Sequence, residues 1–486
     1  MKNQGSPPFN QEDFFTALSA RLGHPPDLIK HTFLLGEKLW ATCIFLHTLI
    51  DVKRIETFVF EHLMTEQKAE KSRQHGMSYF QKEIPMSDIT FEQSYKDCAD
   101  YLLLGNCLLF INGEAGFLVI EAEDIPERSI AEPQTEPSVR GPKDGFTENV
   151  MTNLSLVRSR LRTQEFRVVK SYIGSKSKTK LLLCYLNDTA NMKVVKELQD
   201  KLEKIKIDSL LDSAYIEELI TDKPFNPFPV FLNTERPDVA VSHLTEGRVV
   251  LLTEGTPVCI IAPVTFFQFF NAVEDYYQKA VISSLMRMLR ILAFMLAVFI
   301  PSLYIAITTY HQAILPTNLL ISLSAQREGV PFPAFVEAML MMIVFEIIRE
   351  AGIRMPRVAG QAISIVGALV LGQAAVEAGL VSPAMVIVVS LTAISNFVSP
   401  SYSFSSVQRL LQYGYMCLGA FMGLFGILCG VLYTLLYLVS LESFGTPYFA
   451  PVTPLSFKDL KDTVIRVPWP WLKKLPSMNH LQRKRR

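Results

Sequence analysis

The chain has 486 residues, 49% of them hydrophobic and 19% charged, and its 47 basic and 47 acidic side chains cancel to a formal net charge of zero. Nucleic-acid binding is a second reading of the basic tail only, with no aromatic-basic sheet or known fold to support it, and seven cysteines, odd in number and without a CxxC pair, argue against a disulfide framework or a zinc site and for reduced, buried thiols. The averages hide a polar front half and an apolar back half: no lysine occurs between Ala280 and Phe457, and the runs Ile291 to Gln326 and Leu410 to Leu441 carry no Asp, Glu, Lys or Arg.

Residues 1–26 read as a flexible leader. The opening MKNQGSPPFNQEDFF holds no apolar run of the signal-peptide kind, so the front half is expected to stay in the cytoplasm. A first α/β subdomain is expected over 27–120. Within it Lys38 to Leu49 reads as a buried strand, and Val52 to Met64 places Ile55, Phe58, Val59 and Leu63 at helical spacing. Cys107 to Ile120 is two apolar runs about Asn112-Gly113, a pair suited to a tight hairpin. Residues 121–145, with Pro126, Pro133, Pro137 and Pro142, read as an exposed linker.

A second subdomain, 146–284, repeats the first. Phe45 to Asp51 aligns with Tyr185 to Asn191, and Arg248 to Ala262 repeats the hairpin with Glu254-Gly255 at its turn, both about 140 positions on. Duplication of one small α/β unit is the expected origin.

An all-α polytopic membrane domain is expected over 285–442, because about 20 apolar residues of helix cross a bilayer. Five passes can be drawn: Met288 to Thr309, Ala334 to Ile348, Gly360 to Leu380, Ala384 to Val398 and Leu411 to Ser440. The tail 443–486 is basic, and charge bias favours it in the cytoplasm with Arg287, Arg290, Arg349, Arg354 and Arg357. Five passes would leave that tail outside, so one segment is expected to be broken or re-entrant, with about four to six membrane segments in all. Trp469 and Trp471 suit an interfacial anchor, and the basic tail suits anionic lipid.

No P-loop, GxSxG or HExxH occurs, and the histidines, including His47 and His243 in apolar surroundings, lack ligand spacing. Neither enzyme activity nor a cofactor or metal is expected. Ionisable groups inside a membrane domain are costly and face protein or water. Glu337, Glu346, Arg349 and Glu377 are that set here, open to ion pairing, helix packing or a water-facing path. Gly367, Gly372, Gly419 and Gly423 are candidates for close helix approach. On Gly360 to Leu380, Val366, Val370 and Gln373 share one helical face that a symmetric assembly could turn toward an axis.

Three blocks, Gly141 to Thr163, Asn233 to Tyr277 and Glu350 to Pro383, resemble the A-subunit type of the GerA spore germination receptor family. One strand-end signature that commonly reads Tyr-Leu-x-Gly is Phe45-Leu46-His47-Thr48 and Tyr185-Leu186-Asn187-Asp188 here. The resemblance implies a nutrient-receptor subunit of the spore inner membrane, with its N-terminal region on the core side, working with a transporter-like B subunit and a lipoprotein C subunit. It implies a homo-oligomer, a pentamer, forming a channel that releases monovalent cations when the B subunit binds germinant. Val366, Val370 and Gln373 are then the expected pore lining. A secondary transporter and a non-conducting scaffold are the alternatives.

Overall fold

The computed structural model describes residues 11–35, 39–64, 77–86, 88–112, 114–124, 133, 136, 140–354, 372–457 and 459–471. They divide into two compact units, one built from Met1–Pro224 and Phe231–Pro263, the other from Phe225–Val230 and Val264–Leu472.

In the first unit one topology occurs twice. Helix α1 (Gln11–Leu22) precedes β1 (Leu28–Leu35) and β2 (Leu39–Leu46), and α2 (Val52–Ile55) continues into a π-helical turn at Glu56–Glu61. Then come α3 (Met77–Glu83), β3 (Ile89–Glu92), α4 (Cys98–Leu103), β4 (Asn106–Ile111) and β5 (Phe117–Glu121). The second copy runs α5 (Val150–Arg160), β6 (Phe166–Ile173), β7 (Thr179–Leu186), α6 (Met192–Glu203), α7 (Ser213–Ile220), β8 (Leu232–Thr234), α8 (Pro237–Thr245), β9 (Val249–Thr253) and β10 (Cys259–Ala262). Sheet orders are β1-β2-β4-β5-β3 and β6-β7-β9-β10-β8, with every pairing antiparallel. The ladders match residue for residue: Phe33 pairs with Ala41 and Ala41 with Ile111, as Ser171 pairs with Leu181 and Leu181 with Thr253. The expected pair of related α/β subdomains is therefore present.

Helices cover both faces of each sheet, which explains the nearly unbroken apolar strands. In the first copy Phe33, Cys43, Phe45, Leu109 and Leu118 pack on the side of α2 and α3. Ile44, Leu46, Leu108, Phe110 and Phe117 pack on the side of α1 and α4. Asp51 and Asn191 stand at the same place in the two copies and cap the following helix, accepting from Arg54 N and Lys193 N at 3.0 Å each. Neither turn after β2 or β7 uses a positive φ. Thr48 Oγ1 instead donates to Asp27 Oδ2 at 2.5 Å, so the absent signature glycines are not required.

Three sequence expectations change. The β4–β5 connection is longer than a two-residue Asn112-Gly113 turn, since β4 ends at Ile111 and β5 starts at Phe117. Gly116 supplies its left-handed residue at φ 92°, where a Cβ would lie 2.6 Å from the Glu92 carbonyl. The described part of 121–145 is anchored at several points, although residues such as Arg140 and Lys143 are exposed: Pro133 is buried, Glu136 accepts from Thr234 Oγ1 at 2.5 Å, and Arg236 donates to the Pro142 carbonyl at 3.0 Å. His47 is exposed.

The second unit is helical: α9 (Ala280–Tyr310), α10 (Thr317–Arg327), α11 (Ala334–Arg354), α12 (Pro383–Phe397) and α13 (Tyr402–Ser440). The run read as one long span from Leu411 to Ser440 is two helices, because the backbone at Gly423 leaves helical geometry (φ 61°, ψ −145°) and the chain reverses. Tyr415 and Thr434 then meet across the two arms at 2.9 Å. Gly426 and Gly430 make the close approach possible, since a Cβ at Gly430 would lie 2.8 Å from the Tyr415 ring. Both outer ends of the hairpin return to one aromatic cluster, Phe404 stacking on Phe269 at 5.1 Å and Tyr437 packing on Phe228 at 6.0 Å. Five of the seven cysteines are buried, but Cys417 is half-buried and Cys429 exposed on α13.

Candidate functional site

The helical unit holds its polar groups at three levels. At the start of α9, Asp275 accepts from Arg287 Nε at 2.9 Å and from Arg290 NH1 and NH2 at 2.8 and 3.0 Å. Arg287 is fully buried and reaches Asp462 as well, donating to its carbonyl at 2.7 Å and to Oδ1 at 3.1 Å. Ser284 Oγ donates to the Arg466 carbonyl at 3.1 Å and accepts from Arg466 N at 3.0 Å. The chain after α13 thus comes back to the start of α9, and both ends of the helical unit lie on one side of it.

One level further in, Glu346 on α11 accepts from Arg349 NH2 at 2.5 Å and from Arg409 NH1 of α13 at 3.2 Å. The i,i+3 pair expected of Glu346 and Arg349 is therefore joined by a residue the sequence did not suggest. Beside it Gln408 Nε2 donates to Asn396 Oδ1 at 2.7 Å, and Gln412 is fully buried.

At the opposite end Glu337, also fully buried, accepts from Ser382 N at 2.6 Å and Ser382 Oγ at 2.5 Å, with Arg327 Nε 4.0 Å away. Ser382 caps α12, so α11 and α12 start at the same end of the bundle. In this arrangement Glu337 is held by Ser382, and Glu346 is paired with Arg349 and Arg409.

Of the other expected site residues, Val366, Val370 and Gly367 lie outside the described residues. Gln373 is exposed and donates to Glu377 Oε1 at 2.9 Å, while Gly372 is buried, 3.7 Å from Val386 of α12 measured from where a Cβ would sit. Gly419 lets α13 touch α9, since a Cβ there would come 2.8 Å from the Ser302 carbonyl. Gly423 is the hairpin reversal. Trp471 is exposed. His243 sits 3.7 Å from Glu246, and burial with the nearby Arg248 pushes its pKa down. Among the described residues no group of metal-ligating side chains occurs.

These features define a class: a duplicated α/β unit joined to a bundle of apolar helices in which buried or half-buried charged groups such as Arg287, Glu337 and Glu346 meet partners from neighbouring segments. Helix Ala280–Tyr310 is long and apolar enough to cross a membrane, and the helical hairpin within Ser403–Ser440 is similarly apolar. The family model described as Bacillus/Clostridium GerA spore germination protein matches residues 16–478, and the chain belongs to that family. It is similar to Spore germination protein KA of Bacillus subtilis (strain 168), 42% identical over 451 residues that cover 92% of this chain and 82% of that one. Spore germination protein GerLA of Bacillus cereus is 36% identical over 457 residues, covering 94% and 93%. A protein named Uncharacterized membrane protein YfkQ, of Bacillus subtilis (strain 168), is 38% identical over 443 residues, covering 91% and 86%. Among solved structures, the N-terminal domain of the A subunit of the Bacillus megaterium spore germinant receptor GerK3 is similar at 31% identity, covering 52% of this chain and 95% of that one, with a TM-score of 0.42. The chain is a spore germination receptor subunit.

Proposed function

We propose that this subunit crosses the spore inner membrane several times and assembles, as a pentamer, into the ion channel of a nutrient receptor. Monovalent cations pass when a transporter-like B subunit binds germinant, and a lipoprotein C subunit completes the complex. The observation that carries the reading is the two-sided character of residues 372–377. Gly372 packs inward on α12, while Gln373 and Glu377 are turned outward and hydrogen-bonded to each other. Repeated about an axis, such a face gives a ring of amides and a ring of carboxylates, the arrangement that favours cations. By helical spacing in the sequence, Val366 and Val370 would continue that face and form an apolar constriction.

Two further observations support a membrane position. Outward residues such as Ile387, Phe397, Phe421 and Leu436 are 68%, 70%, 77% and 72% exposed in the single chain, and acyl chains or neighbouring subunits would cover them. The contact of Arg287 with Asp462 brings residues 459–471 to the arginines at the start of α9, which supports one common side for both, the cytoplasm by charge bias.

The test is conductance of proteoliposomes holding this subunit with its B and C partners, against added nutrient, with subunit number from native mass measurement. Nutrient-gated cation current through a symmetric oligomer is expected, and Val366→Ala or Val370→Ala should leak without nutrient. Solute uptake without current would point to a transporter, and an assembly that never conducts to a scaffold; either overturns the channel.

A further inference from the structure

Helix α9 is longer than a hydrocarbon core requires. Its 31 residues extend about 46 Å, against about 30 Å of hydrocarbon and about 40–45 Å for a bilayer with its headgroups. Two contacts mark the part that spans. Phe294 stacks on Phe404 of α13 at 5.4 Å, and Tyr310 Oη donates to the Ala420 carbonyl at 2.7 Å, so the two helices run side by side for about 24 Å between these points. Residues 280–293 lie beyond that stretch, at the end where Arg287 and Arg290 meet Asp275.

An overhang surrounded by water would turn polar side chains outward. Here the outer face is apolar: Val281, Leu285, Met288 and Leu292, about one turn apart, are 82%, 62%, 53% and 53% exposed. Alongside runs the segment 459–471, tied to the helix where Arg466 N donates to Ser284 Oγ at 3.0 Å, and Ile465 and Trp471 on it are exposed as well. Charges at this level are sorted by sign. Asp275 and Asp462 are both taken up by Arg287, while Lys279 and Lys461 are exposed. Residues 472–486, next in the chain, hold six bases and no acid.

We propose that the outer face of residues 280–293, together with the segment 459–471, binds the headgroup layer of an anionic bilayer leaflet. The apolar stripe carries the lipid-facing side of the span into the boundary zone, tryptophan suits that depth, and the lysines meet lipid phosphates. A second copy of the chain is the poorer occupant, because it would set the same bases against one another. The inference rests on α9 crossing the membrane and not on the channel reading.

The test uses the full chain with Trp40→Phe, which leaves Trp469 and Trp471 as its tryptophans, reconstituted in vesicles of phosphatidylcholine with increasing phosphatidylglycerol. Lipid brominated on the acyl carbons next to the headgroup should lower their emission about twofold, and lipid brominated at the chain ends should not. The thermal transition should rise with the fraction of phosphatidylglycerol, and high salt should shrink the rise. Lys279→Gln and Lys461→Gln should each raise the fraction that gives half the effect about fivefold. Leu285→Glu should shift the emission to the red and relieve the quenching; should it not fold, the wild-type quenching and the lysine variants decide the matter. Flotation with the vesicles after an alkaline wash separates the two premises. Protein that floats with unquenched tryptophans, or with the same transition in both lipids, keeps its crossing and loses this surface, whereas protein that does not float loses both. Cross-linking between copies through Leu285→Cys, in place of quenching, would give the face to a neighbouring subunit and overturn the proposal.

Discussion

Tyr415 and Thr434 are 19 residues apart on what reads as one continuous helix, yet their hydroxyl groups are 2.9 Å apart. A straight helix would separate them by about 28 Å. The reversal rests on Gly423, whose φ of 61° and ψ of −145° are open to glycine almost alone, and where a Cβ would meet His311 at 2.8 Å. Gly423→Ala is expected to lower stability in detergent by about 1–3 kcal/mol. Gly414→Ala, on the same helix with open space around it, is the control and should be neutral or slightly stabilising. Thermal unfolding of both variants checks this, and equal transitions would count against the reversal.

Asp27 and Arg158 form a buried pair at 2.8 Å that ties the two α/β copies together, with side chains 0% and 2% exposed. Asp27→Asn leaves a buried guanidinium without its counter-charge and is expected to cost about 3–5 kcal/mol. Asp208→Asn removes the exposed pair with Lys176 and should leave stability almost unchanged. Denaturant unfolding of the front half within the full chain, followed by far-ultraviolet circular dichroism, measures the difference.

Burial pushes the Glu217 carboxyl up to about 7, against the opposing hydrogen bond from Asn233. Glu136, buried beside Thr234, is pushed up to about 7 as well. The folded state therefore keeps these protons at pH values where the unfolded chain, titrating near 4.5, has lost them. Their contribution to stability is largest below about pH 4.5 and falls as pH rises to about 7, then levels off. Glu217→Gln should flatten that slope and raise the melting temperature at pH 7 more than at pH 5. Melting curves across the interval test it; a variant with the wild-type slope would contradict the assignment.

Glu337 holds the cap of α12 through two hydrogen bonds from Ser382. Glu337→Ala should leave the Ser382 N–H without its acceptor and cost about 1–3 kcal/mol. Glu337→Gln, which keeps an acceptor oxygen, should cost less. The ratio of folded protein recovered from membranes for the two variants is the readout, and equal recovery would remove the cap role.

Much of the front half was legible because its signals are local. Lys38 to Leu49 and Leu181 to Asn191 could be matched since a sheet covered on both faces writes long apolar strands at fixed spacing. The chain does turn at Asn112-Gly113, with Glu114 N donating to the Ile111 carbonyl at 3.2 Å, but the connection runs on to Phe117 because Gly116 packs against β3, a contact turn propensity does not contain. Glu346 was matched with Arg349 by helical spacing, but Arg409, 63 residues on, becomes a neighbour only when α11 and α13 pack. The same holds for Asp275 and Asp462 around Arg287, since neither acid stands out in the sequence.

The sequence by itself determined where lipid-compatible helix can form, that the front half is a repeated α/β unit, and which family the chain resembles, because hydropathy, periodicity and repetition are properties of neighbouring residues. Tertiary structure decided that the last apolar run doubles back at Gly423 and that Asp27 reaches Arg158 across 131 residues of chain. Each of these depends on which surfaces meet after the chain closes, and the cost of burying a charge is fixed only by the partners it then acquires.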